Sequence, residues 1–77
     1  MKLLENIQKI HTTELGKNRI KKNIHIEEDV VKYCKKMIQD KNCKITKQGK
    51  NYYCKKDNII ITINSYSYTI ITAHILK

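Results

Sequence analysis

The stretch VKYCKKMIQDKNCKITKQGKNYYCK, residues 31–55, changes its apolar period half-way, and that change decides the fold. Over its first half, and starting one residue before it, Val30, Val31, Cys34, Met37 and Ile38 recur at helical spacing. Lys32, Lys35 and Lys36 occupy the opposite side. Glu27, Glu28 and Asp29 cluster just upstream, where a helix N-terminus favours negative charge. Lys41 and Asn42 end this helix. From Cys43 the period becomes two. CKITK reads as a short strand, and QGKN as a turn in which Gly49 is free to take a positive φ. NYYCK is the next strand and KKDN the next turn. IIITIN, strongly β-branched, is a third strand.

Working outward, NSYS offers another turn and YTIITAHIL a last strand. On the N-terminal side, Leu3, Leu4, Ile7 and Ile10 follow i, i+3, i+4, i+7 spacing and predict a short amphipathic helix. HTTELG interrupts it. Thr12 or Thr13 can cap a second helix over ELGKNRIKKN, with Leu15, Ile20 and Ile24 as a thin apolar face and Asn23 as its stop. The expected fold is α+β, a single domain over residues 1–77. Two to three N-terminal helices (about 2–40) pack on a three- to four-stranded antiparallel meander (about 43–76). Helices on one sheet face leave the other face open.

Charge is distributed unevenly. Sixteen Lys and Arg against seven Asp and Glu give a net charge of +9, which points to a polyanionic partner or an acidic protein surface. Between Lys41 and Lys56 there are six Lys and no acid, whereas Asn58–Leu76 carries no Lys, Arg, Asp or Glu. The uncharged strands are therefore expected at the centre of the sheet and the Lys-rich ones toward an edge, where charge also blocks unwanted pairing. Cys34, Cys43 and Cys54 are odd in number and form no C-x-x-C, which argues against a disulfide framework and a zinc site. A reducing cytoplasm is the simplest compartment. The N-terminus lacks the apolar core of a signal peptide, and the uncharged run is too rich in Thr, Ser and Asn for a membrane helix, so no membrane partner is expected. G-x-x-x-x-G-K and G-x-G-x-x-G are absent, so no nucleotide cofactor is expected, and no metal.

Several residues carry chemistry. His11 is either a general acid/base, histidine being the side chain that titrates near neutral pH, or a structural residue that caps the first helix or hydrogen-bonds the turn. Arg19, the single Arg, offers a bidentate fork for phosphate, or an ion pair with Glu14. Alternation along the last strand puts Tyr68, Ile70, Thr72 and His74 on one face and Thr69, Ile71, Ala73 and Ile75 on the other. The first row is half polar, either the floor of a cleft or a satisfied structural row. In IIITIN, Ile60, Thr62 and Asn64 share a mixed face, expected to coincide with the polar row of the last strand. Tyr52, Tyr53, Tyr66 and Tyr68 interleave with lysines in the strand half. Tyr on a sheet can stack bases while Lys holds phosphates; it also packs across strands for stability alone.

The words HTTELGKNRIKKN, QGKNYY and SYTIITAH resemble a family of short bacterial proteins of unknown function, a match running from Leu3 to His74. More loosely, helices followed by a basic four-stranded antiparallel sheet are similar to the barnase/RelE-like small ribonucleases and toxins, at the level of architecture. That likeness implies metal-free catalysis from His, Arg, Lys, Tyr and Thr or Ser, for which His11, Arg19, Lys47, Tyr52, Thr69 and His74 are the candidates.

The leading expectation is a small basic protein that engages RNA, or an RNA–protein assembly, through Lys44, Lys47, Lys50, Tyr52, Lys55 and Lys56. As an enzyme it would be a ribonuclease. His11 or His74 would be the base, Arg19 and Lys47 would stabilise the phosphorane-like transition state, and Tyr52 or Thr69 would orient the 2′-hydroxyl or phosphate. Two rivals come from other classes: a protein inhibitor of a nuclease, of the anti-CRISPR kind, and a homodimeric module pairing through its uncharged last strand.

Overall fold

The computed structural model describes residues 2–76. Three helices precede four antiparallel strands, an α+β arrangement. The helices are α1 (Lys2–Glu5), α2 (Glu14–Ile24) and α3 (Val30–Ile38). The strands are β1 (Lys44–Gln48), β2 (Asn51–Lys56), β3 (Ile59–Asn64) and β4 (Ile70–Ile75), in the spatial order β1-β2-β3-β4.

The first apolar stripe does not form one helix. Asn6 closes α1, its side-chain amide donating to the Lys2 carbonyl at 2.8 Å, and the chain continues as a 3₁₀ turn over Ile7–Lys9. Of the four side chains in that stripe, Leu3 and Ile10 are buried and Ile7 packs against the core, but Leu4 is exposed. Thr13 caps α2, its hydroxyl accepting from the Gly16 N–H at 3.0 Å. α2 runs through Asn23 to Ile24 and stops at His25, whose left-handed φ of 56° forms the C-cap. Ile20 and Ile24 enter the core, but Leu15 is 79% exposed and is no part of the expected apolar face. Asp29 caps α3 by accepting from the Lys32 N–H at 2.9 Å, and Val30, Cys34, Met37 and Ile38 are buried as their spacing predicts.

The sheet follows its turn chemistry. Gly49, with φ of 60°, opens the β1–β2 hairpin; Asp57 and Asn58 both take positive φ at the β2–β3 turn, the primed geometry that matches strand twist. Helices and sheet share one core, to which Tyr52, Cys54, Ile61, Ile63, Ile70 and Ala73 are the strand contributions. Tyr52 is thus a core residue, 4% exposed. The parity of the strand explains it: Tyr52 shares its face with Cys54, and that face meets the helices.

β4 is an edge of the four-stranded sheet, not its centre as the missing charge suggested. Its outer side is shielded instead. The His11 N–H donates to the Tyr68 carbonyl at 3.2 Å and the Ile70 N–H donates to the His11 carbonyl at 2.8 Å, a one-residue parallel bridge. The Thr12 hydroxyl donates to the Ile70 carbonyl and the Asn23 amide to the Ala73 carbonyl, so α2 and its cap cover backbone groups that an edge would present to another chain. Pairing also slips between Thr62 and Ile63: Thr62 faces Thr72, but Ile63 faces Ile70. The extra residue, Ile71, is a bulge that shifts the alternation by one. Ile70 and Ala73 therefore both point into the core, and the expected single row from Tyr68 through Ile70 to His74 does not exist.

Candidate functional site

The sheet face turned away from the helices is the candidate site. Cross-strand register sorts its residues into three rows. Lys44, Lys55, Ile60 and His74 lie side by side across all four strands. Thr46, Tyr53, Thr62 and Thr72 form the next row, and Gln48, Asn51 and Asn64 the third. No acid falls on this face. Strands about 4.8 Å apart make the first row about 14 Å long. The mixed faces of β3 and β4 coincide as expected, Ile60 opposite His74 and Thr62 opposite Thr72.

Lys44 and Lys55 stand directly opposite each other. Like charges at that position cost stability, and neither has an acidic salt-bridge partner among the described residues. Tyr53 is half-buried beside them, its hydroxyl 3.5 Å from the Asn51 amide.

At the corner of the third row a chain of polar side chains leads off the sheet. Asn64 Oδ1 accepts from the N–H groups of Tyr66 and Ser67, each at 2.9 Å, which builds the turn between β3 and β4. Ser67 Oγ lies 3.2 Å from that oxygen and 2.8 Å from Thr69 Oγ1. Thr69 Oγ1 is 3.1 Å from His11 Nε2, and His11 Nδ1 is 2.8 Å from the Lys9 carbonyl. A carbonyl can only accept, so Nδ1 carries a hydrogen, and in the neutral ring Nε2 is the free acceptor. The hairpin tip joins the same region, with the Ser65 N–H donating to the Lys50 carbonyl at 2.7 Å. Lys9 Nζ sits 5.9 Å from the centre of the Tyr68 ring.

Of the residues singled out in the sequence, His11 and Thr69 are in contact. Arg19 is exposed on α2 and makes no salt bridge among the described residues; Glu14 pairs with Lys17 instead, at 3.7 Å. His74 is exposed on the open face and is not hydrogen-bonded to the His11 chain. The lysines do not share one surface. Lys44 and Lys55 are on the open face and Lys50 is in the hairpin loop, whereas Lys47 and Lys56 have the parity of Tyr52 and lie on the helix side. Tyr52, in the core, presents no ring for stacking. Tyr53 is the tyrosine that β2 places on the open face, and its parity with Lys55 was the available signal.

Lys56 is already engaged. Its ammonium donates to Asp40 at 2.7 Å. That hydrogen bond holds the Asp40 carboxyl below its ordinary range and raises the Lys56 ammonium above its own. The pair borders a cleft of about 270 Å³ between α3 and the β2–β3 turn, lined also by Glu28, Tyr33, Lys36 and Asp57. Its charges are mixed, unlike those of the open face. The three thiols are free. Burial pushes Cys34 and Cys54 up to about 12, and raises Cys43 as well, so none is primed as a nucleophile at neutral pH.

A family model described as a protein of unknown function, DUF3781, matches residues 4–74, nearly the whole chain. The chain belongs to the DUF3781 family. This bears out the resemblance to a short family of unknown function that the sequence words carried, and DUF3781 membership brings no activity with it. No curated protein and no solved structure matches the chain. The looser likeness to barnase/RelE-like ribonucleases gains no support from these comparisons. Among the described residues no group of His, Cys, Asp and Glu could hold a metal ion, and no helix is long and apolar enough to cross a membrane.

Proposed function

We propose that this protein binds single-stranded RNA across the open face of its sheet. The observation that carries the reading is the Lys44–Lys55 pair on an acid-free face, next to Tyr53. Two opposed ammonium groups destabilise a sheet unless an anion lies over them. A phosphate satisfies both, and a base can stack on the neighbouring tyrosine ring. Gln48 and Asn51 supply amide donors and acceptors in the third row, and His74 lies at the end of the Lys row. Single-stranded rather than duplex RNA suits the face, because stacking on Tyr53 needs an unpaired base.

The test is fluorescence anisotropy with a labelled single-stranded oligoribonucleotide at several salt concentrations. Affinity should fall steeply with salt as phosphate neutralisation releases counterions. Absent binding at low salt, or binding indifferent to salt, overturns the reading.

A further inference from the structure

We propose that His11 is the general base of a strand-cleaving transesterification on the bound RNA, its ring held through Nδ1 by the Lys9 carbonyl. This rests on the RNA-binding reading above and adds an activity to it.

Three observations converge at the corner of the open face. His11 is held at both nitrogens: Nδ1 on the Lys9 carbonyl at 2.8 Å and Nε2 on Thr69 Oγ1 at 3.1 Å. The ring is nevertheless exposed, so a substrate hydroxyl can reach Nε2. The polar chain from Thr69 through Ser67 ends on Asn64, in the third row of the open face, so the imidazole lies at the corner of that face and RNA running across the sheet from the Lys44–Lys55 pair would reach it. A base oriented by one group and in hydrogen-bond reach of a hydroxyl is the arrangement that proton abstraction requires. A histidine needed only to close the parallel bridge would not use its ring, because the bridge is made by the His11 backbone.

In the step, a ribose 2′-hydroxyl displaces the Thr69 hydroxyl from Nε2. Nε2 takes the 2′ proton while O2′ attacks the adjacent phosphorus. The O2′–P bond forms and the P–O5′ bond breaks. The leaving 5′ oxygen takes a proton from water, and the imidazolium returns its proton to the hydroxide so formed. The products are a 2′,3′-cyclic phosphate and a 5′-hydroxyl, with no oxidation and no co-reactant. Lys9 Nζ lies 5.9 Å from the centre of the Tyr68 ring, on the turn whose backbone pairs with His11.

The experiment uses the full chain in excess over labelled single-stranded RNA, in EDTA, with products separated on a gel and their ends identified. Binding is followed in parallel on 2′-O-methyl RNA, which lacks the attacking hydroxyl. The expected result is cleavage with cyclic phosphate ends, intact 2′-O-methyl RNA, and a rate in His11→Gln lower by at least about 100-fold at saturating protein. Thr69→Val should cleave no more slowly than the parent protein, because the 2′-hydroxyl displaces the Thr69 hydroxyl from Nε2 before it reacts. Thermal melting of each variant separates misfolding from lost chemistry. RNA that is bound but stays intact overturns the cleavage inference and leaves the binding reading standing. RNA that is not bound overturns both. Cleavage that persists in a folded His11→Gln protein removes His11 from the step.

Discussion

Lys55 is the residue at which stability and the proposed function pull in opposite directions. It faces Lys44 across the β1–β2 pair, and no acid shares their face. Lys55→Glu converts a repulsion into an attraction. The variant should gain about 0.2–1 kcal/mol, read as a rise of a few degrees in the thermal midpoint. RNA affinity should drop in the same variant. A protein that melts higher and binds as well as before would show that the pair is not where phosphate sits. The cysteines make a second residue-scale case. Cys34 and Cys54 are buried and their thiols are pushed up to about 12 from an ordinary 9.0. Native protein at pH 8 should therefore be alkylated first at half-buried Cys43, with Cys34 and Cys54 reacting only on unfolding; mass spectrometry of the alkylated peptides reads this directly. The sign of the linkage follows. The folded state disfavours both thiolates, so stability falls as pH rises above 9.0, where the unfolded chain ionises, through the range up to about 12.

Elements here are set by their ends. α2 starts where Thr13 accepts from the Gly16 N–H, and Thr13→Ala should cost about 1 kcal/mol. Gly16 is the more informative position. In an open first turn Gly→Ala would stabilise by up to about 1 kcal/mol. At Gly16 a Cβ would stand 2.5 Å from Thr12 Oγ1 and 3.1 Å from Thr13 Oγ1. Thr12 Oγ1 holds the Ile70 carbonyl at 3.2 Å, so the methyl must displace the hydroxyl that ties α2 to β4. Gly16→Ala should lower the melting temperature, against helix propensity; a rise would mean that the contact yields freely. This is also the scale at which the sequence speaks and then stops. Period and caps made α3, the two tight hairpins and the interior of β3 legible, because each depends on residues within one turn or one strand. The break at Asn6, the bulge at Ile71 and the burial of Tyr52 were not legible in the same way. Asn6 competes for a backbone carbonyl four residues back; Ile71 is forced out by pairing with β3; Tyr52 is buried by helices far along the chain. The His11–Thr69 contact, 58 residues apart in the chain, belongs to the same class. Both residue types could be named from their chemistry, but only the parallel bridge joins them.

Across the whole molecule, cations outnumber acids and most of them stand unpaired among the described residues. Two of the 15 lysines lie within salt-bridge reach of acids among the described residues, Lys17 with Glu14 and Lys56 with Asp40. The rest contribute to a field of +9 on a 77-residue chain, which repels itself in the folded state and attracts polyanions. Salt must then act on folding and binding with opposite signs. Screening should raise the melting temperature of the free protein. The same screening should weaken RNA binding, with a slope of log affinity against log salt of about −1.4 if the Lys44–Lys55 pair neutralises one phosphate and Lys50 a second on a single strand. Because a ligand that binds the folded state stabilises it by RT ln(1 + [L]/Kd), RNA should raise the melting temperature at low salt, and the increment should vanish as added salt raises Kd while the baseline rises. Calorimetry of free and RNA-loaded protein at matched salt reads both curves. Curves that rise in parallel would place the excess charge in the service of solubility alone, and the open face would lose its claim to RNA.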